Sequence, residues 1–286
     1  DHRGGYVVAV NDAPRSGATK DRAGGGAGAP THVRAPPGAG GWQVGRVDEG
    51  GGAWGGGAAP TARSILRGAA PGSVVHGYDV SPPMIEAARA HDPSLASLTF
   101  TVGDVAAMAP PEPPYLRLAS RFGVMFFDDP SRAFRRLGGW LAPRGRLAFA
   151  VWAPPRDNPW IATVRAAVEA ATEPLPPPPA DAPGPFRYAA ADPLVRLLED
   201  EAGVVDVDVS TWRAPLALGG LGTPEDAARF ALASFTTFAH HLERFDVAAR
   251  ARAHEELARA FAPHHRDGAV RMPAAIHLVT ARARTR

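Results

Sequence analysis

Two carboxylates, Asp79 and Asp104, carry the first chemical signal in this chain, because each ends an apolar run. Val74-Val75-His76-Gly77-Tyr78 leads into Asp79, and Leu98-Thr99-Phe100-Thr101-Val102-Gly103 leads into Asp104 and Val105. Short apolar, β-branched runs of this kind suit strands that are covered on both faces. Beyond Asp79 and Val80, Ser81 can cap a helix, Pro82 suits its first turn, and Met84–Arg89 continues it. A strand, an acid and a helix make half of a βαβ unit. Open α/β sheets bind ligands just outside the carboxyl ends of their strands. A carboxylate at that place can accept hydrogen bonds from both hydroxyls of a ribose.

A glycine-rich stretch lies upstream. Trp42–Val47 reads as a short strand, followed by Asp48-Glu49-Gly50-Gly51-Gly52-Ala53-Trp54-Gly55 and a helix over Ala62–Arg67. Glycines between a strand and a helix let the backbone approach a nucleotide or a carboxylate closely. Gly50, Gly52 and Gly55 satisfy Gly-x-Gly-x-x-Gly with Asp79 24 positions on, the spacing of a nicotinamide-binding turn. A third stretch, Ser120-Arg121-Phe122-Gly123-Val124-Met125-Phe126-Phe127, leaves a fourth strand at Tyr115–Ala119. Arg121 there can meet a carboxylate of a ligand or a neighbouring acid. Phe122 is the aromatic residue best placed to touch a ligand. No side chain is assigned as a catalytic acid, base or nucleophile.

Composition narrows the classes. The 286 residues hold 31 Lys and Arg against 29 Asp and Glu, a net charge of +2, and all the basic residues but Lys20 are arginine. They do not cluster in sequence, so no nucleic-acid surface is expected. Cysteine is absent, which excludes disulfides and thiolate metal sites and leads us to expect a cytoplasmic location. No apolar run reaches membrane-spanning length, so no membrane span is expected. The paired histidines His240-His241 and His264-His265 lack accompanying acids, and neighbours on a helix point to different faces. They read as solvent-facing, and no metal site is expected.

These elements imply an α/β fold: a Rossmann-like, mostly parallel sheet with flanking helices, its last strand antiparallel, and a helical lid inserted late. Residues 1–40, rich in Gly, Pro and Ala, read as a disordered or degenerate leader in which Tyr6–Val10 is strand-like but has no nearby partner. Residues 41–286 then form one domain. Helices are expected over Ser131–Leu141, Pro159–Ala171, Asp192–Ala202, Thr223–Leu242 and Asp246–Phe261, the last two making a lid at about 223–262. Strands are expected at Arg146–Trp152, Val204–Val209 and Ala274–Ala283.

With these pieces placed, the chain over about residues 72–283 resembles the class I S-adenosylmethionine-dependent methyltransferases, in particular the ubiquinone/menaquinone-type small-molecule branch. Val74–Met84 resembles that family's second-strand motif. Gly103-Asp104-Val105 resembles the acid that meets the adenine amino group, and Ser120–Phe127 the fourth-strand exit beside the methyl donor. Leu141–Leu147 resembles the turn into the fifth strand, and Asn158-Pro159-Trp160 and Pro183–Phe186 resemble lid-side landmarks. The family's first motif, an acid followed by Gly-x-Gly-x-Gly, is matched as Asp48, Gly50 and Gly52, with Trp54 in place of the third glycine and Asp79 31 positions after Asp48. Leu116 stands where that family has an acid. The resemblance implies S-adenosylmethionine as cofactor, held by Asp48, Gly50, Gly52, Asp79, Val80, Asp104, Val105, Ser120, Arg121 and Phe122, and a small-molecule acceptor. Two other readings stay open: a catalytically impaired relative acting as a binding protein, and a nicotinamide oxidoreductase.

Overall fold

The computed structural model describes residues 7–11, 58–90, 96–177, 179 and 182–285. In chain order its elements are β1 (Val7–Asn11), α1 (Ala58–Gly68), β2 (Val74–Asp79), α2 (Pro82–Ala90), β3 (Leu98–Val102), β4 (Tyr115–Arg121), α3 (Pro130–Trp140) and β5 (Leu141–Trp152). There follow α4 (Pro159–Ala171), α5 (Asp192–Asp200), β6 (Val204–Leu218), α6 (Pro224–Ser234), α7 (Thr236–Glu243), α8 (Val247–Phe261), β7 (His265–Arg266) and β8 (Ala269–Ala283). The strands form one sheet in the order β3-β2-β1-β4-β5-β8-β6, with β7 paired to β8. No helix among the described residues is long and apolar enough to cross a membrane.

Following the pairings across the sheet fixes each strand's sense. β2 and β3 are parallel, as are β4 and β5, while β1 is antiparallel to both β2 and β4. β8 is antiparallel to both β5 and β6. So β2, β3, β4, β5 and β6 share one direction, β1 and β8 run the other way, and the carboxyl ends of those five strands line one edge. This is the mostly parallel, Rossmann-like sheet expected, with β8 reversed as expected.

The central strand is the correction. Val7–Asn11 falls in the stretch expected to be a disordered leader, yet Val7, Val8 and Ala9 are completely buried between β2 and β4. A continuous apolar run suits a strand covered on both faces. Val7 and Ala9 join the larger core, under α3, and Val8 and Val10 join the smaller one, with Ala62 of α1 and Ile85 of α2. Its partners lie more than sixty residues away, so no local pattern announces the pairing. A domain taken as 41–286 would lack this strand. The expected strand at Trp42–Val47 lies outside the described residues.

Local signals account for the helices. Asp129 caps α3 by accepting from Arg132 N at 3.0 Å, and Thr223 and Asp226 form a reciprocal capping box on α6. Asp246 caps α8 through Ala249 N at 2.7 Å. Phe235, extended at φ −96° and ψ 100°, divides the expected Thr223–Leu242 helix into α6 and α7. Ser81 was expected to cap α2, but its buried hydroxyl finds no hydrogen-bond partner. The last strands run longer than their sequence suggests, because β6 and β8 pair from Val204–Ala283 out to Leu218–Val270. This long hairpin carries the α6–α8 insertion on the carboxyl-end side of the sheet, where a lid was expected, and α8 packs on both α4 and α6.

Candidate active site

The carboxyl edge gathers the sequence's two acids. Asp79 closes β2 and pairs in parallel register with Val102, the last residue of β3, and the Gly103 amide donates to the Asp79 carbonyl at 2.9 Å. Asp104 follows at once, so the acids stand on neighbouring strand ends. Asp79 is 6% exposed, and its Oδ1 accepts the Ser81 amide at 2.8 Å, which turns the chain through Val80 into α2. Asp104 is exposed; its Oδ1 accepts from Ala106 N at 2.8 Å, and Val105 beside it is buried as an anchor. A Cβ at Gly103 would stand 2.5 Å from the Met108 sulfur, so a larger residue there would displace that flexible side chain.

The third predicted stretch reaches the same edge. Ser120 is buried, and Arg121, half-buried, ends β4. Phe122 adopts φ +59°, a left-handed conformation rare for a bulky residue, and its amide donates to Ala150 O at 2.9 Å. This bend lays its ring flat on Trp152, with centroids 4.2 Å apart and planes 3° apart. Trp152 meets Trp160 at 5.3 Å, and Trp160 stacks on Phe235 at 5.0 Å, so an aromatic chain runs from the β4 exit to the start of α7.

Asn158 was a landmark in the sequence without an assigned role. It is completely buried, and its side-chain amide donates to the carbonyls of Ala153, Pro154 and Ala275 while Oδ1 accepts from Ala275 N and Trp160 Nε1. One side chain thus joins the end of β5, the start of α4 and β8. The sequence signal was Asn158-Pro159-Trp160 a few residues beyond the end of β5 at Trp152.

A polar chain also crosses the sheet beneath the edge. Tyr78 and Tyr115 share a hydrogen bond of 2.7 Å, and Tyr115 Oη lies 2.6 Å from His76 Nδ1. It links β2 to β4 over β1, where Ala9 pairs with His76 and carries only a methyl group. Burial holds the His76 pKa below its ordinary value, and burial followed by the Tyr78 hydrogen bond raises that of Tyr115.

Asp48, Gly50 and Gly52 lie outside the described residues. Helix α1, which follows them in sequence, runs back along β2 and reaches its amino end, so its own N-terminus points toward the Asp79 edge. His240 is exposed as expected, but His241 is 6% exposed and hydrogen-bonds to Thr172 at 3.1 Å, because the α7 face that carries it packs toward α4. No group of three His, Asp or Glu among the described residues could hold a metal. A cavity of about 550 Å³ opens at the opposite edge, beside Glu112, Arg135, Glu201 and Arg284, away from Asp79.

Comparison with known proteins returns to the carboxyl edge. No curated protein matches the chain. Among solved structures, the YcgJ protein from Bacillus subtilis is 14% identical over 73% of this chain and 82% of its own, with a TM-score of 0.42. The cyclase SpnF is 15% identical over 79% of this chain and 72% of its own, with a TM-score of 0.44. Phosphoethanolamine N-methyltransferase 2 from Haemonchus contortus, in complex with phosphomonomethylethanolamine and S-adenosylhomocysteine, is 15% identical over 73% of this chain and 43% of its own, with a TM-score of 0.38. The segment that holds Asp79, Asp104 and Ser120–Phe122 is more specific: residues 54–149 match the methyltransferase domain family.

Proposed function

We propose that this chain transfers a methyl group from S-adenosylmethionine to a small-molecule acceptor, in the manner of the ubiquinone/menaquinone-type branch. The observation that carries the reading is the meeting of Asp79 and Asp104 on adjacent parallel strand ends, inside the segment matched to the methyltransferase domain. Asp79 would accept the two ribose hydroxyls, and Asp104 the adenine amino group, with Val80 and Val105 flanking the base. Ser120, Arg121 and Phe122 would line the amino-acid end, and the N-terminus of α1, with Asp48, Gly50 and Gly52 before it, would face that end's carboxylate.

The cofactor supplies a methyl group made electrophilic by its sulfonium. The chain's own work is positioning and exclusion of water, which supply most of the acceleration in an in-line displacement. Phe122, fixed by Trp152, and the α6–α8 cover serve those ends, and a dedicated acid or base is not required.

The reversed β1 favours a second reading. Its carboxyl end, Asn11, pairs with Val74 at the edge opposite Asp79, so the strand does not itself deliver a glycine turn to the cofactor. A protein that binds the cofactor without turning it over fits that observation. Calorimetry with S-adenosylhomocysteine and with NADH tests both. Saturable binding of the first alone supports the methyltransferase reading; no binding at millimolar concentration overturns it, and tight NADH binding replaces it with an oxidoreductase. Cofactor bound but recovered unchanged after incubation with a small-molecule extract establishes the second reading.

A further inference from the structure

Three arginines far apart in sequence, Arg117, Arg146 and Arg282, form a single row across the sheet. Arg117 of β4 pairs with Arg146 of β5, and Arg146 pairs with Arg282 of β8. Their neighbours Leu118, Leu147 and Ala281 face the larger core, so the three arginines share the other face. Strands are about 4.8 Å apart, which makes the row about 10 Å long. Like charges directly opposite one another destabilise a sheet unless a counter-charge is present. Arg282 has one in Asp206, whose Oδ2 accepts from Nε at 3.0 Å. Arg146, half-buried in the middle of the row, has no carboxylate partner among the described residues.

The surroundings favour an anion of particular shape. The next row toward the carboxyl edge is Ala119, Ala148 and Thr280, so short side chains border the guanidinium groups on that side. At the other side, Arg144 and Arg284 are exposed at the strand ends and add charge of the same sign. Guanidinium groups bind phosphate oxygens in pairs, and a line of them suits adjoining phosphate groups better than a single carboxylate. Arg117 is four residues from Arg121, about 13 Å along the strand, which separates the row from the Asp79 edge.

We propose that the Arg117–Arg146–Arg282 row is a binding site for a small molecule carrying linked phosphate groups, distinct from the cofactor edge and independent of the methyltransferase reading. Titration calorimetry of the full chain with inorganic pyrophosphate tests it, at low and at physiological salt. Saturable one-to-one binding is expected, weakened at least tenfold in Arg146→Gln and unchanged in Arg259→Gln, a surface arginine of α8 paired with Glu256. Removing Arg146 also relieves repulsion, so Arg146→Gln should melt no lower than the parent; should it fail to fold, Arg146→Lys is titrated instead, with at least threefold weaker binding expected. Absence of pyrophosphate binding to the parent overturns the proposal. So does equal affinity in the parent and the Arg146 variant, or tighter competition at the same site by a single-stranded oligonucleotide.

Discussion

Phe122 lies face to face on Trp152, with the rings 3° from parallel, and this contact joins the exit of β4 to the last residue of β5. The backbone bends into a left-handed conformation at Phe122 to make it. Stacked aromatic pairs contribute about 0.5–1.5 kcal/mol beyond the area they bury. Phe122→Ala is therefore expected to lower stability by about 2 kcal/mol, less than the loss of a fully buried ring because Phe122 is only half-buried. Urea denaturation checks this, and an unchanged midpoint would show that the stack does not hold the bend.

The cofactor edge makes a sharper claim. Asp79→Ala should weaken S-adenosylhomocysteine binding by about 1–3 kcal/mol, the cost of leaving hydrogen-bond partners unmet at a buried position. Calorimetry with adenosine as a second ligand would show a similar loss, since the ribose is common to both. Equal affinities in parent and variant remove Asp79 from the ribose.

Asn158 predicts stability and local order together. Four of its five side-chain hydrogen bonds are buried, and Asn158→Asp keeps the shape while losing the donors to the Ala153, Pro154 and Ala275 carbonyls. A loss of about 2–4 kcal/mol is expected for a broken buried network. Hydrogen exchange should quicken at Ala274–Ile276 and in the first turn of α4. Exchange that stays as slow as in the parent contradicts the role given to Asn158.

The central strand can be tested by charge. Val8 is completely buried between β2 and β4, so Val8→Asp places an unpaired carboxylate in an apolar site. Circular dichroism is expected to show loss of the cooperative unfolding transition. Retention of a parent-like transition would mean that Val7–Asn11 is not needed in the sheet.

His76 sets a pH dependence. Its pKa is lowered in the folded protein by burial, so the unfolded chain takes up a proton at a higher pH than the folded one. Stability contributed by the neutral ring is complete above the unfolded value of 6.5 and declines as pH falls from there through the lower folded value. His76→Gln should flatten that decline. Melting curves between pH 7.5 and about 5 check it, and parallel profiles for parent and variant would refute it.

Much of the edge was legible from residues alone. Asp79 and Asp104 were recognisable because a strand followed by an acid and a turn is a local pattern, and local patterns survive in sequence. Capping was read less well: the hydroxyl of Ser81, the cap expected from the sequence, makes no hydrogen bond, while Asp129, Thr223 and Asp246 cap α3, α6 and α8. The place of Val7–Asn11 was not legible: a five-residue apolar run is compatible with either direction and with any partner, and its neighbours are distant. The Asn158 contacts with Ala275, 117 residues away, were hidden for the same reason.

The sequence by itself determined which segments are strands and helices over most of 58–283, and which acids stand at strand ends, because those properties depend on neighbours a few residues away. Tertiary structure alone decided the reversed central strand, the Phe122–Trp152 stack, the His76–Tyr115–Tyr78 chain and the alignment of Arg117, Arg146 and Arg282. Each of these depends on register between distant strands, and register is selected by burying both faces of the sheet at once rather than by any local preference.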